Sequence, residues 1–77
     1  MERGFQIRNR VRAVRVQQGV TQQQLADAVG VTRQTIGLIE VEHYNPTLAL
    51  AFRLARELHS KVDELFALEE NHGHTKR

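Results

Sequence analysis

The sequence contains no cysteine, no tryptophan and only one proline in its 77 residues. The missing cysteine excludes disulfides, thiolate nucleophiles and cysteine-ligated zinc sites. A small chain without disulfides is typical of a reducing compartment, so we expect a cytoplasmic protein. The longest apolar run has five residues, far fewer than the roughly 20 that a membrane helix needs, and we expect no membrane contact.

The sequence also lacks any pairing of a nucleophile with a base. A chain of this length buries only about 60% of its unfolded surface, which is too little for a dry catalytic cleft. We therefore expect no enzyme, no cofactor and no small-molecule effector. His72 and His74 form an HxH pair, but two histidines near a chain end lack the further ligands that a metal site requires, so no metal is expected.

The charge is unevenly distributed. The first 40 residues contain six arginines against three acidic residues, and the remaining residues contain five basic against six acidic ones. Arginine suits phosphate and guanine better than lysine does. This asymmetry favours a polyanionic partner such as DNA, although a solvated arginine-rich helix would look similar. Arg10 is a candidate phosphate contact.

Apolar spacing predicts an all-α fold, a compact bundle of about five short helices, over residues 5–18, 22–29, 33–40, 48–58 and 62–68. No segment has the alternation that predicts a strand. We expect one domain over residues 1–68 and a disordered polar tail over residues 69–77. In the fourth helix the predicted buried stripe is Leu48, Ala51, Leu54, Ala55 and Leu58. Leu50 and Phe52, which flank this stripe, are candidates for the core or for a dimer interface (the seam). The exposed side of the last helix around Leu68 is a further candidate for the seam.

Residues 21–40 contain two short helices with clear end signals. Thr21 and Gln24 have the spacing of a capping box, Gly30 ends the first helix, and Thr32 is the predicted N-cap of the second. Two short helices joined by so short a turn are typical of a helix-turn-helix unit.

From Ile7 to Leu68 the chain resembles the Cro/repressor-like family of transcriptional regulators, also called the xenobiotic-response-element family. The resemblance rests on RxxxG at Arg15–Gly19, QxxLA at Gln22–Ala26, VGVTRQTI at Val29–Ile36, YNPT at Tyr44–Thr47 and DELF at Asp63–Phe66. It implies a lambda-repressor-like DNA-binding domain whose second capped helix enters the major groove of double-stranded DNA.

Arg33 and Gln34 follow the predicted cap, so we expect them to contact base edges. The resemblance places Leu38 at a base-contact position too, where we expect it to lie against a thymine methyl. Thr35 is a candidate for a base edge or a phosphate. For backbone contacts we expect Gln22 at the start of its helix and Thr32, and the resemblance adds the loop residues His43, Tyr44 and Asn45. The resemblance also implies an internal ion pair between Arg15 and Glu40.

Alternatives remain open at the loop over residues 41–43 and at Gly37. Many relatives have Asn-Gly-Lys where this chain has Val41, Glu42 and His43, which adds a negative charge near the loop and leaves its turn geometry in doubt. Gly37 lies in the predicted recognition helix, where glycine costs roughly 0.8–1.0 kcal/mol relative to alanine. It indicates either a close approach to DNA or simple tolerance at the surface.

The predicted function is that of a sequence-specific DNA-binding transcriptional regulator, a nucleoid-associated repressor in the cytoplasm. We expect a homodimer on a near-palindromic operator, because one short chain reads too few base pairs for useful specificity. The alternative is an antitoxin or another protein-interaction module on the same scaffold.

Overall fold

The structure, a computed structural model, describes residues 5–70 and the side chains of residues 6–69. Five short helices confirm the predicted helical class, and a two-stranded sheet accompanies them. In chain order the elements are β1 (Phe5–Asn9), α1 (Val11–Gln17), α2 (Gln22–Val29), α3 (Arg33–Glu40), α4 (Leu48–Glu57), α5 (Val62–Leu65) and β2 (Phe66–Glu70). None of these helices is long and apolar enough to cross a lipid bilayer.

The sheet corrects the prediction at both ends of the domain. β1 and β2 pair antiparallel, with Ile7 opposite Leu68, so the helices predicted over residues 5–18 and 62–68 were wrong in their outer parts. Ile7 has helical spacing to the next apolar residues, but a partner strand distant in sequence supplies its backbone hydrogen bonds instead. Glu69 and Glu70 belong to β2 rather than to the polar tail, and residues 71–77, with His72 and His74, lie outside the described part of the chain.

The core lies between α2, α3 and α4, with contributions from α1 and α5. Its buried side chains are Val11, Leu25, Ala26, Val29, Ile36, Ile39, Leu50, Leu54, Ala55, Leu58 and Leu65. The predicted stripe of α4 is wrong at its first position, because Leu48 is 71% exposed while Leu50 is 4% exposed. The four-residue steps from Leu50 through Leu54 to Leu58 set the buried face of α4, and Leu48 lies outside it.

Candidate nucleic-acid interface

α2 and α3 form two capped helices joined by a very short turn. The Thr21 hydroxyl accepts a hydrogen bond from the Gln24 backbone N–H at 3.0 Å, and the Gln24 side chain accepts one from the Thr21 N–H at 2.8 Å. This confirms the capping box. Gly30 ends α2 with a left-handed φ of 82°, which glycine adopts without a steric penalty. The Thr32 hydroxyl then caps α3 by accepting from the Thr35 N–H at 3.2 Å.

α3 separates an apolar face from a polar one. Ile36 and Ile39 are fully buried and anchor the helix against the core. Arg33 and Gln34, the first two residues of α3, are exposed, and Leu38 is 39% exposed one turn later. Thr35 is partly buried, with its hydroxyl 3.0 Å from that of Thr32. Arg33, Gln34 and Leu38 therefore lie on the side of α3 that the rest of the domain leaves exposed, and Thr35 lies at its edge.

A buried polar network holds α3 against α1 and α2. Arg15 Nε donates to Glu40 Oε2 at 2.7 Å, Arg15 Nη2 donates to Glu40 Oε1 at 3.2 Å, and Arg15 Nη1 donates to the Val20 carbonyl at 2.8 Å. The Gln22 side-chain amide donates to Glu40 Oε1 at 3.0 Å. Gln22, at the start of α2, is thus held beside the last turn of α3.

The loop after α3 is tied to β1 through Glu42. The Glu42 backbone has φ of 64°, a conformation that non-glycine residues rarely adopt. Its carboxylate accepts from the Asn9 N–H at 3.2 Å and lies 3.3 Å from Arg8 Nε. Glutamate therefore adopts a left-handed turn conformation here, and Arg8 offsets its charge. The loop residues predicted to contact the DNA backbone, His43, Tyr44 and Asn45, are all exposed.

Asn9 is a structural residue that the sequence interpretation missed. Its side-chain amide donates to the Ile39 carbonyl at 2.9 Å, and its Oδ1 accepts from the Val11 N–H at 3.0 Å. Asn9 therefore connects the start of α1 to the end of α3. Its position just ahead of an apolar helical stretch was the available signal, because asparagine there is typical of a helix start.

Gly37→Ala separates the two interpretations of the glycine in α3. A Cβ at Gly37 would lie 3.8 Å from Gln22 Nε2, an ordinary contact distance. We therefore expect Gly37→Ala to raise the free energy of unfolding by about 0.5–1 kcal/mol in urea denaturation, through helix propensity. A simultaneous loss of DNA affinity would indicate close approach to DNA, and unchanged affinity would indicate surface tolerance.

Gly19→Ala is the contrasting control. Gly19 has φ of 73° and no atom within 4 Å of the Cβ position, so alanine there is strained by its backbone alone and should destabilise the fold by about 1 kcal/mol or more. A destabilised Gly37→Ala protein would contradict the packing described above.

Comparison with known proteins identifies similar chains. The sequence profile of the helix-turn-helix family matches residues 11–65. A protein of Methanothermobacter thermautotrophicus, named as an uncharacterized HTH-type transcriptional regulator, is 44% identical over 66 residues, covering 84% of this chain and 96% of that protein. A protein of the same description from Archaeoglobus fulgidus is 41% identical over 64 residues, covering 83% of this chain and 91% of that protein.

Among solved structures, the restriction-modification controller protein C.AhdI from Aeromonas hydrophila superposes with a TM-score of 0.70 at 33% sequence identity. The similarity covers 74% of this chain and 86% of that protein. The matched residues 11–65 include α1 through α5 and hence every contact in the buried network.

Proposed function

The chain belongs to the helix-turn-helix family of DNA-binding transcriptional regulators, and we propose that it represses transcription as a homodimer bound to a near-palindromic operator. The observation that carries the proposal is the uncovered leading end of α3. There Arg33 and Gln34 are exposed, and neither forms a side-chain hydrogen bond or ion pair with another described residue. In a helix-turn-helix unit this end of the second helix reads the major groove.

The exposed side of α3 has the chemistry that base recognition requires. The Arg33 guanidinium can donate two hydrogen bonds to guanine O6 and N7, and the Gln34 amide can pair with adenine N6 and N7. Leu38 has no polar atom to offer, so its role is apolar contact with a thymine methyl. Thr35 contributes a hydroxyl at the edge of this surface.

Backbone contacts surround that reading surface. Gln22 supplies an amide beside the start of α2, where free backbone N–H groups also attract phosphate. Thr32, at the cap of α3, and the exposed loop residues His43, Tyr44 and Asn45 complete the proposed set. Arg15 and Glu40 lie behind α3, where they hold the helix in place, and we do not expect them to contact DNA.

The homodimer follows from the small number of base pairs that one α3 can read. Two copies related by a two-fold axis place their recognition helices about 34–36 Å apart, one turn of DNA. For the seam we propose the exposed apolar side of α4, where Leu48 is 71% and Phe52 is 58% exposed. Leu48 also lines a shallow apolar groove with Ile7 and Pro46. On the chromosome, such a dimer excludes polymerase by occupying the operator.

Phe52→Glu should produce a monomer of native fold. The side chain is mostly exposed, so the core is untouched, while a charge in the seam should weaken self-association by about 2 kcal/mol or more. Sedimentation velocity measures the mass, and operator binding should weaken in parallel. Ala28→Glu adds the same charge at an exposed position of α2 and should leave the mass unchanged. A dimer that persists in Phe52→Glu would contradict this seam.

A binding-site selection from random duplex DNA tests the function as a whole. We expect enrichment of a two-fold symmetric sequence and a solution mass of two chains. Binding without sequence enrichment would contradict a specific operator. No DNA binding, together with a protein that co-purifies in fixed proportion, would instead favour the antitoxin or interaction-module alternative.

A further inference from the structure

The arginines of the N-terminal half differ in how far the fold neutralises them. Arg15 is buried against Glu40, and Arg8 lies 3.3 Å from Glu42 and 2.9 Å from Glu69. Arg12, on α1, is exposed and has no hydrogen-bond or ion-pair partner among the described side chains. Its positive charge is therefore available to a ligand, whereas those of Arg8 and Arg15 are committed to the fold.

Arg12 lines the same groove as Gln22 and Arg33. This groove lies between α1, the start of α2 and the exposed side of α3, and it has a volume of about 800 Å³. Among the described residues that line the groove, Glu40 is the single carboxylate, and its two oxygens already accept from Arg15 and Gln22. The uncompensated charge of the groove is thus positive. It comes from the guanidinium groups of Arg12 on α1 and Arg33 on α3.

We propose that Arg12 binds a phosphate of the DNA backbone, so that the DNA-binding surface extends from α3 across this groove onto α1. The inference rests on the proposed DNA-binding function and adds a contact on the first helix. A planar guanidinium can form two hydrogen bonds to one phosphate group. When α3 lies in the major groove, the positively charged groove of the protein is next to a phosphate of the adjoining DNA strand. Arg10 is not among the residues that line this groove. It lines an adjacent concavity, which shares Arg12 and Val16 with the groove.

The salt dependence of DNA binding tests the proposal. Each phosphate neutralised contributes about 0.9 to the slope of log affinity against log salt concentration. We expect Arg12→Ala to make that slope shallower by about 0.9 and to weaken operator and random duplexes by the same factor. Arg12→Lys keeps the charge and should retain the slope. Arg12 is exposed, so urea denaturation of all variants should match the wild type.

Arg53→Ala is the matched control. Arg53 is an exposed arginine on α4, so its removal lowers the net charge equally without touching the groove. If Arg12→Ala and Arg53→Ala give the same slope while the wild type binds DNA, the Arg12 contact is wrong and the proposed function stands. A change of base preference in Arg12→Ala would also overturn a phosphate contact. If the wild type shows no salt-dependent binding, the proposed function and this inference fail together.

Discussion

Replacing Glu40 with alanine should lower the free energy of unfolding by about 3–5 kcal/mol, because it leaves the buried Arg15 guanidinium without its countercharge. The two side chains are 2% and 11% exposed, so the folded protein shields the pair from most of the surrounding water. The same change removes the acceptor of the Gln22 amide. Small domains have a total stability of only about 5–15 kcal/mol, so we expect a large unfolded fraction near physiological temperature.

Urea denaturation followed by circular dichroism measures this loss. Glu57→Ala is the control, since Glu57 is exposed on α4 and forms no ion pair with another described residue. The paired replacement of Arg15 by Met and Glu40 by Leu should recover much of the stability, because it leaves no unpaired buried charge. A Glu40→Ala protein within about 1 kcal/mol of the wild type would contradict the role of the pair. Loss of DNA binding in Glu40→Ala would not make Glu40 a DNA contact.

Arg33→Ala should relax the base preference at one position of each operator half-site by about 1–3 kcal/mol, the usual value of a bidentate contact. The fold should be unaffected, because the Arg33 side chain is exposed. Binding-site selection on the variant, compared with the wild type, measures the change position by position. Full selectivity retained in Arg33→Ala would contradict the proposed docking of α3.

Gln22→Ala should behave differently from Arg33→Ala. A contact to the DNA backbone carries no sequence information, so we expect operator and random duplexes to weaken alike. Gln17→Ala is the matched control, because Gln17 is exposed on α1 and does not line the groove that contains Gln22. A selective loss for one base in Gln22→Ala would instead place Gln22 on a base edge.

The helix-turn-helix unit was predictable because its signals are local. Thr21, Gln24 and Thr32 satisfy backbone groups within three residues of themselves, and Gly30 ends α2 through its own φ. The exposure of Arg33 and Gln34 follows in turn from the burial of Ile36 and Ile39 at helical spacing. Long-range information was not needed for any of these assignments.

The two strands were not predictable in the same way. β1 and β2 stabilise each other through residues that lie about 60 positions apart, such as Arg8 and Glu69. Over residues 5–18 the apolar spacing satisfies a helix equally well, so periodicity alone favours the wrong element. Likewise, nothing local to Glu42 indicates that its carboxylate lies against β1 beside Arg8.

By itself, then, the sequence determined that five helices form, the caps of α2 and α3 and the family, because each depends on neighbours in the chain or on a motif of fixed spacing. Only the tertiary structure decided the two-stranded sheet, the burial of Leu50 rather than Leu48 on α4, and which arginines remain unpaired. Those features depend on residues that are distant in sequence and that only folding brings together. The free energy of each pairing is therefore set by the residue that faces it in the fold and not by its neighbours in the sequence.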